Sequence, residues 1–225
     1  MLHESNMQPS LKIDVVSDIV CPWCFIGKRK LEVALAELDK SEPALDVEVR
    51  WHPFQLNPDL PADGISRASY VEQKFGGAAR AAQIYARVTS AGEAVGIPFR
   101  FDRIERQPNT LDGHRLVAWA QRQRDATPLV ERLFSAFFLE GRRVDDRGEL
   151  ARVAAESGWS QQEALAMLES RAMHEEIESE SREARDVGIQ GVPFFIFNGS
   201  IAVSGAQDPA RLLEAVAAAR RAPEA

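Results

Sequence analysis

Strand-like patterning is confined to the two ends of this chain, and that confinement limits its folds more than any other feature. Residues 11–19 form an apolar, β-branched run, and residues 45–54 alternate apolar with polar side chains. Both read as strands. Between them Phe25, Ile26, Leu31, Ala34, Leu35 and Leu38 recur at helical spacing, with Pro43 shortly beyond. Strand, helix, strand implies a parallel pair joined by a right-handed crossover. From about 66 to 187 the texture changes: no strand-like alternation is visible, and Ala, Glu and Arg dominate. Ser66 is expected to cap a segment that Gly76-Gly77 breaks, and a helix follows at about 78–95. Residues 99–110 read as a connector with one short extended piece. Helices are then expected at about 111–124, 128–140, 147–157, 161–170 and 171–187, punctuated by Pro128, Gly141, Gly158 and Gly188. Strand character returns at 192–197, before the hairpin signal Asn198-Gly199, with 201–204 as partner strand and 208–220 as a closing amphipathic helix.

The expected class is therefore α/β (α+β), in the element order β-α-β, helical block, β-β-α. Residues 1–62 and 188–225 would form one discontinuous domain, and 63–187 an inserted all-α domain. With the block removed, the remaining order is that of a thioredoxin core.

The chemistry concentrates at Cys21-Pro22-Trp23-Cys24, which holds the chain's two cysteines directly after the first strand. A strand that delivers two thiols to the first turn of a helix suits redox work, because free N–H groups and the helix dipole favour an anion there. Cys21 is expected to be the attacking thiolate, and Cys24, one turn deeper, the resolving thiol. Pro22 fits the first helical turn, where its missing N–H would have no partner anyway. Trp23 adds bulk and an apolar rim without charge. Buried inert thiols are the bland reading, though a Pro-Trp insert at a strand-to-helix junction argues against it. A zinc site would need His52, His114 or His174 to complete it. With no second C-x-x-C and no closely spaced His pair, no metal is expected. Pro193, in Gly191-Val192-Pro193-Phe194, has two readings from spacing alone. It is an edge-strand proline, or a cis peptide that exposes the Val192 main chain to substrate.

Lys+Arg 27 against Asp+Glu 34 gives a net charge of −7, which argues against nucleic acid or an anionic membrane as partner. Residues 1–10 carry neither a basic nor an apolar secretory region, and no apolar run approaches the roughly eighteen residues of a membrane span. The expected location is the cytoplasm.

CPWC after a first strand, paired with GVPFFIFNG before a hairpin, resembles the thioredoxin superfamily. The helical insertion resembles its DsbA-like branch, and the FrnE group in particular. The matching stretches are Ser17 to Gly27, Phe54-Gln55-Leu56-Asn57-Pro58, Asn109-Thr110 with His114-Arg115-Leu116, Leu133 to Gly141, and Val203-Ser204-Gly205-Ala206-Gln207. The resemblance runs from about residue 12 to 217 and implies a disulfide oxidoreductase with nucleophile Cys21, resolving thiol Cys24 and a cis-Pro193 beside them. It also implies that Asn109 and His114 face the active-site groove. DsbA itself has a histidine where this chain has Trp23, so a weaker oxidant than DsbA is expected. Asp18 is read either as tuning the thiols or as capping the helix start. Trp51, Phe54 and Trp119 are read as core, and the Arg and Glu runs at 142–152 and 175–186 as solvated faces.

The expected activity is dithiol–disulfide exchange with protein or small-molecule thiols, in a monomer or homodimer. No cofactor is expected beyond the Cys21–Cys24 pair, with glutathione a candidate co-substrate. The alternative activity is a glutathione-dependent isomerase or transferase of the 2-hydroxychromene-2-carboxylate isomerase or kappa class. Those relatives typically lack the second cysteine. A non-catalytic peptide-binding module is a third reading, and redox-independent holdase activity would mark it.

Overall fold

The computed structural model describes residues 10–222. In chain order it contains β1 (Ser10–Ser17), α1 (Pro22–Ser41), β2 (Asp46–Pro53), β3 (Ile65–Ser66), α2 (Arg67–Phe75) and α3 (Ala78–Glu93). After a short 3-10 turn come β4 (Arg106–Gln107), α4 (Leu111–Gln121), α5 (Thr127–Phe138), α6 (Arg147–Glu156), α7 (Gln161–Glu169) and α8 (His174–Asp186). The chain closes with β5 (Phe194–Phe197), β6 (Ile201–Ser204) and α9 (Pro209–Ala219).

Four strands form one mixed sheet in the order β2-β1-β5-β6. β1 and β2 run parallel, from Ser10 opposite Asp46 to Ser17 opposite Pro53. β5 lies antiparallel to β1, with Val16 opposite Phe194, and β6 antiparallel to β5. The fold is thioredoxin-like, of mixed α/β class. Leu11, Ile13 and Val15 of β1 are buried, whereas Lys12 and Asp14 between them are not. That alternation fixes which face of the sheet receives α1. The hairpin turn is made by Asn198 (φ 48°) and Gly199 (φ 64°), the left-handed pair that a two-residue turn between twisted strands requires.

The helices between β2 and β5 share a core with the sheet. Phe25 of α1 stacks on Phe134 of α5 at 5.1 Å between ring centres and meets Phe99 edge-on at 6.1 Å. The Trp51 indole N–H donates to Thr127 Oγ1 at 3.0 Å. One continuous set of buried apolar side chains runs from β1 and α1 into α5, α6 and α7.

Several expectations need correction. The block is not free of strands: β3 pairs antiparallel with β4, Ile65 opposite Gln107. β4 falls in the short extended piece expected within 99–110, whereas the two-residue β3 carries no periodicity that could reveal it. β5 begins at Phe194 because Val192 and Pro193 lie in the turn before it. Trp51 and Phe54 are buried as expected, and Trp119, half-buried, packs against the core. The charged runs are not simply solvated. Arg142 is 19% exposed and ties the loop after α5 to α6 through Glu149 and Glu156, and Ser181 of α8 is buried. Asp18 does not cap α1, whose N-cap is Cys21 with no side-chain capping bond. Among the described residues, no helix is long and apolar enough to cross a membrane.

Candidate active site

β1 ends at Ser17, and a turn closed by Cys21 N–H donating to the Asp18 carbonyl at 3.0 Å feeds the chain into α1. Cys21 is the N-cap in extended conformation (φ −93°, ψ 112°), and Pro22 occupies the first helical turn. That turn contains no acidic side chain, so nothing in it opposes negative charge on the Cys21 sulfur. Cys24 N–H donates to the Cys21 carbonyl at 3.0 Å, which places the second thiol one turn into the helix. Both cysteines are free thiols. Cys21 is 5% exposed and Cys24 2%, whereas Trp23 is 42% exposed and forms the rim.

The loop before β5 completes the site. The Cys21 thiol donates to the Val192 carbonyl at 3.6 Å, and the Val192–Pro193 peptide is cis. Gly205 N–H donates to the Pro193 carbonyl at 2.8 Å and pins that loop to the end of β6. Pro22, Trp23, Val192 and Pro193 are thus gathered around Cys21.

Burial pushes the Cys24 thiol well above the usual range, and the neighbouring Cys21 adds to the effect. The Ser17 side chain and the Asp18 main chain act in the opposite direction. Cys24 therefore holds its proton until something removes it.

Asn109 is half-buried and His114 is buried, and both are tied to neighbouring elements. Asn109 Oδ1 accepts from Gln55 Nε2 at 3.1 Å and from Leu111 N–H at 2.9 Å, while its Nδ2 donates to the Leu60 carbonyl at 2.7 Å. It fastens the loop after β2 to the start of α4. His114 is buried on α4, with Nε2 3.3 Å from Asp18 Oδ1. The other Asp18 oxygen accepts from Leu56 N–H at 2.7 Å, so Asp18 joins the turn before Cys21 to both the post-β2 loop and α4.

One residue of the site and one of the surrounding scaffold had no role assigned from the sequence. Gly27 sits under Pro193 on α1, and a glycine on the buried face of a helix was the signal that could have found it. Arg115 is wholly buried and anchors α4, which no sequence pattern shows. Among the described residues, no cluster of three or more His, Cys, Asp or Glu side chains is placed to hold a metal.

A family model described as the DSBA-like thioredoxin domain matches residues 12–217. The crystal structure of a probable DsbA oxidoreductase, SCO1869 from Streptomyces coelicolor, is 30% identical with a TM-score of 0.82, covering 95% of this chain and 92% of that one. The uncharacterized protein YwbO of Bacillus subtilis (strain 168) is 26% identical over 193 residues, 85% of this chain and 89% of YwbO. The cytosolic disulfide reductase DsbM from Pseudomonas aeruginosa, solved also with GSH, shares the fold at 20% identity, with a TM-score of 0.59 over 93% of this chain and 95% of that one.

Proposed function

The chain belongs to the DSBA-like thioredoxin domain family, and we propose from that premise that it is a FrnE-type dithiol–disulfide oxidoreductase working through its CPWC motif. The observation that carries the proposal is the placement of two thiols, one turn apart at the start of α1, with Cys21 against the Val192 carbonyl. Thiol–disulfide chemistry in general goes with the family; the site geometry supports the particular roles proposed here.

The Cys21 sulfur, at the open end of α1, attacks one sulfur of a substrate disulfide. One substrate sulfur leaves as a thiolate, and the other is held in a mixed disulfide with Cys21. Main-chain N–H groups of the first turn offer hydrogen bonds to the charge carried on Cys21. The Cys24 thiolate then attacks Cys21 Sγ; the Cys21–Cys24 bond forms and the substrate's second sulfur is released. Two electrons pass from the dithiol to the substrate. The reverse sequence oxidises a substrate dithiol. The Val192 main chain, beside Cys21, suits an extended peptide segment running past the mixed disulfide. Trp23 supplies an exposed apolar rim for it.

Protein and small-molecule thiols are the proposed partners, glutathione among them, in the cytoplasm. DsbM, which shares the fold, has been solved with GSH. The placement of Cys24 below Cys21 favours a cycling disulfide over the alternative, activation of bound glutathione for isomerisation or transfer. Reduction of insulin by dithiothreitol, with and without the protein, tests the proposal. Acceleration by the wild type that is lost in Cys21→Ser is the expected result. Equal rates for the two proteins would refute it, and turnover of glutathione conjugates that survives Cys24→Ser would favour the alternative.

A further inference from the structure

Cys21, Cys24, Gly27 and Lys30 follow one another along α1, each about a turn beyond the last, so that every member of the row neighbours the next. Three of them already have a place in the site. Cys21 meets the Val192 carbonyl, Cys24 lies one turn deeper, and Gly27 lies under Pro193. Lys30 has no such place, yet its ammonium is not left to solvent. Lys30 Nζ donates to the Ala206 carbonyl at 3.1 Å and to Asp208 Oδ1 at 2.7 Å.

The segment that Lys30 holds lies behind the Val192–Pro193 loop. Gly205 N–H donates to the Pro193 carbonyl at 2.8 Å, and Gln207 N–H donates to the Gly205 carbonyl at 2.9 Å. Gly205 has φ 82°, a left-handed conformation that suits glycine, where the chain turns from β6 toward α9. Residues 205–208 therefore touch the loop beside Cys21 at one end and α1, through Lys30, at the other. Asp208 shows that this link displaces an ordinary one. It is the N-cap of α9, where an aspartate usually accepts from a main-chain N–H of the first turn. Here it makes no capping bond, and its carboxylate is turned to Lys30. The Asp208 side chain is 83% exposed, so as an ion pair the contact adds little stability. What it does is fix where residues 205–208 sit.

We propose that Lys30 is a positioning residue of the exchange reaction: by clamping residues 205–208 to α1, it fixes how far the Val192 main chain stands from the Cys21 sulfur. This rests on the dithiol cycle above. Lys30 touches neither sulfur nor substrate and acts through Gly205 and Pro193. α1 then carries both the attacking sulfur and the anchor of the loop that lines up the substrate, so the two move as one body. Without the ammonium, Gly205 keeps its bond to Pro193, but residues 205–208 lose their fastening to α1. The Val192 carbonyl is then free to shift away from Cys21. A peptide disulfide, whose main chain runs along Val192, feels that shift. A small disulfide with no main chain to pair does not.

Lys30→Met keeps the stem and removes the donor, and Lys30→Arg keeps a charged donor. Each is assayed on a quenched fluorescent peptide disulfide, with dithiothreitol as reductant, and on the small disulfide 5,5′-dithiobis(2-nitrobenzoate) in single turnover. For Lys30→Met, kcat/KM on the peptide should fall about fivefold, mainly through KM. Release of thionitrobenzoate by Cys21 should stay within about twofold, since that attack needs no main-chain pairing. The equilibrium constant of the Cys21–Cys24 pair against glutathione should shift about twofold toward the disulfide, because the Cys21 S–H bond to Val192 exists only in the reduced protein. Lys30→Arg should restore the peptide kinetics and the equilibrium. Should Lys30→Met fail to fold, Lys30→Gln, with its shorter arm, carries the same comparison. Unchanged peptide kinetics and equilibrium, or equal slowing on both disulfides without rescue by arginine, would make the contact a surface tie and overturn the proposal. A wild type with no Cys21-dependent turnover of the peptide disulfide would overturn the dithiol cycle itself, and this role with it.

Discussion

Gly27 and Pro193 are in such close contact that a Cβ built on Gly27 would lie 2.7 Å from Pro193 Cγ and 3.2 Å from Phe195 Cζ. The ring cannot swing aside as a flexible side chain would, and the Pro193 carbonyl is tied to Gly205 N–H. The fit between α1 and the loop before β5 therefore depends on a missing methyl group. Gly27→Ala gains about 1 kcal/mol of helix propensity but must move a well-packed ring, at about 1–3 kcal/mol. The expected net effect is a loss of about 1 kcal/mol in urea unfolding, since the overpacking exceeds the propensity gain. Because Val192 moves with Pro193, the rate of insulin reduction should change as well. A variant as stable as the wild type, with an unchanged rate, would show that the loop yields freely.

The interior of the motif sets the expected redox poise. Trp23 is 42% exposed and uncharged, so it brings no positive charge to a Cys21 thiolate. Titration of the Cys21–Cys24 pair against glutathione should give a potential between about −270 and −120 mV, nearer the first. Trp23→His should stabilise the reduced dithiol and raise the potential by about 30 mV or more, equivalent to ~1.4 kcal/mol. A wild-type value at the oxidising end would refute the argument from Trp23.

Arg115 is the largest fully buried side chain among the described residues. It donates to the carbonyls of Met167, Leu168, Ser170 and Ala172 at 2.7–3.2 Å, closing the C-terminal end of α7, and pairs with Asp112 at 2.5 Å. Only a planar fork of N–H donors reaches all of these from one side chain. Arg115→Lys is therefore expected to cost about 3 kcal/mol or more, because buried helix-end carbonyls and the Asp112 charge lose their partner. Urea unfolding measures it. A loss below about 1 kcal/mol would mean that water replaces the fork.

What could be read from the sequence was whatever local pattern or spacing controls. CPWC after a β-branched run, Asn198-Gly199 in its hairpin, and the helices between β2 and β5 all express periodicity or turn chemistry within a few residues. What could not be read depends on contacts across the chain. Asp18 could be placed three residues before Cys21, but its carboxylate direction is set by Leu56 and His114, which belong to other elements. Asn109 was placed by resemblance alone, and its ties to Gln55, Leu60 and Leu111 reach across loops that no local pattern joins. Arg115 defaults to the surface in any single-sequence reading, because arginine is rarely buried without partners that only the fold supplies.

His52 on β2 links the sheet to the helices by charge, and its titration should be visible in stability. Its ring nitrogens lie 2.8 Å from Asp14 Oδ1 and 2.7 Å from Glu180 Oε1. Hydrogen bonds to Asp14 and then Glu180 raise it to about 9. The folded value lies above the unfolded one of about 6.5. The stabilisation is thus fully present below about pH 6.5 and is lost as pH rises through about 9. The same contact, chiefly through the His52 hydrogen bond, holds the Asp14 carboxyl below its ordinary range. That part of the stabilisation is present above the unfolded carboxyl value and is lost as pH falls through the folded one. A third of the His52 side chain is exposed, so water screens the triad and its worth is about 1 kcal/mol rather than the full value of the shift. Urea unfolding of the wild type should weaken by about that amount between pH 6.5 and 9.5, relative to His52→Gln measured in parallel. Parallel pH profiles for the two proteins would show that the triad carries no net stabilisation.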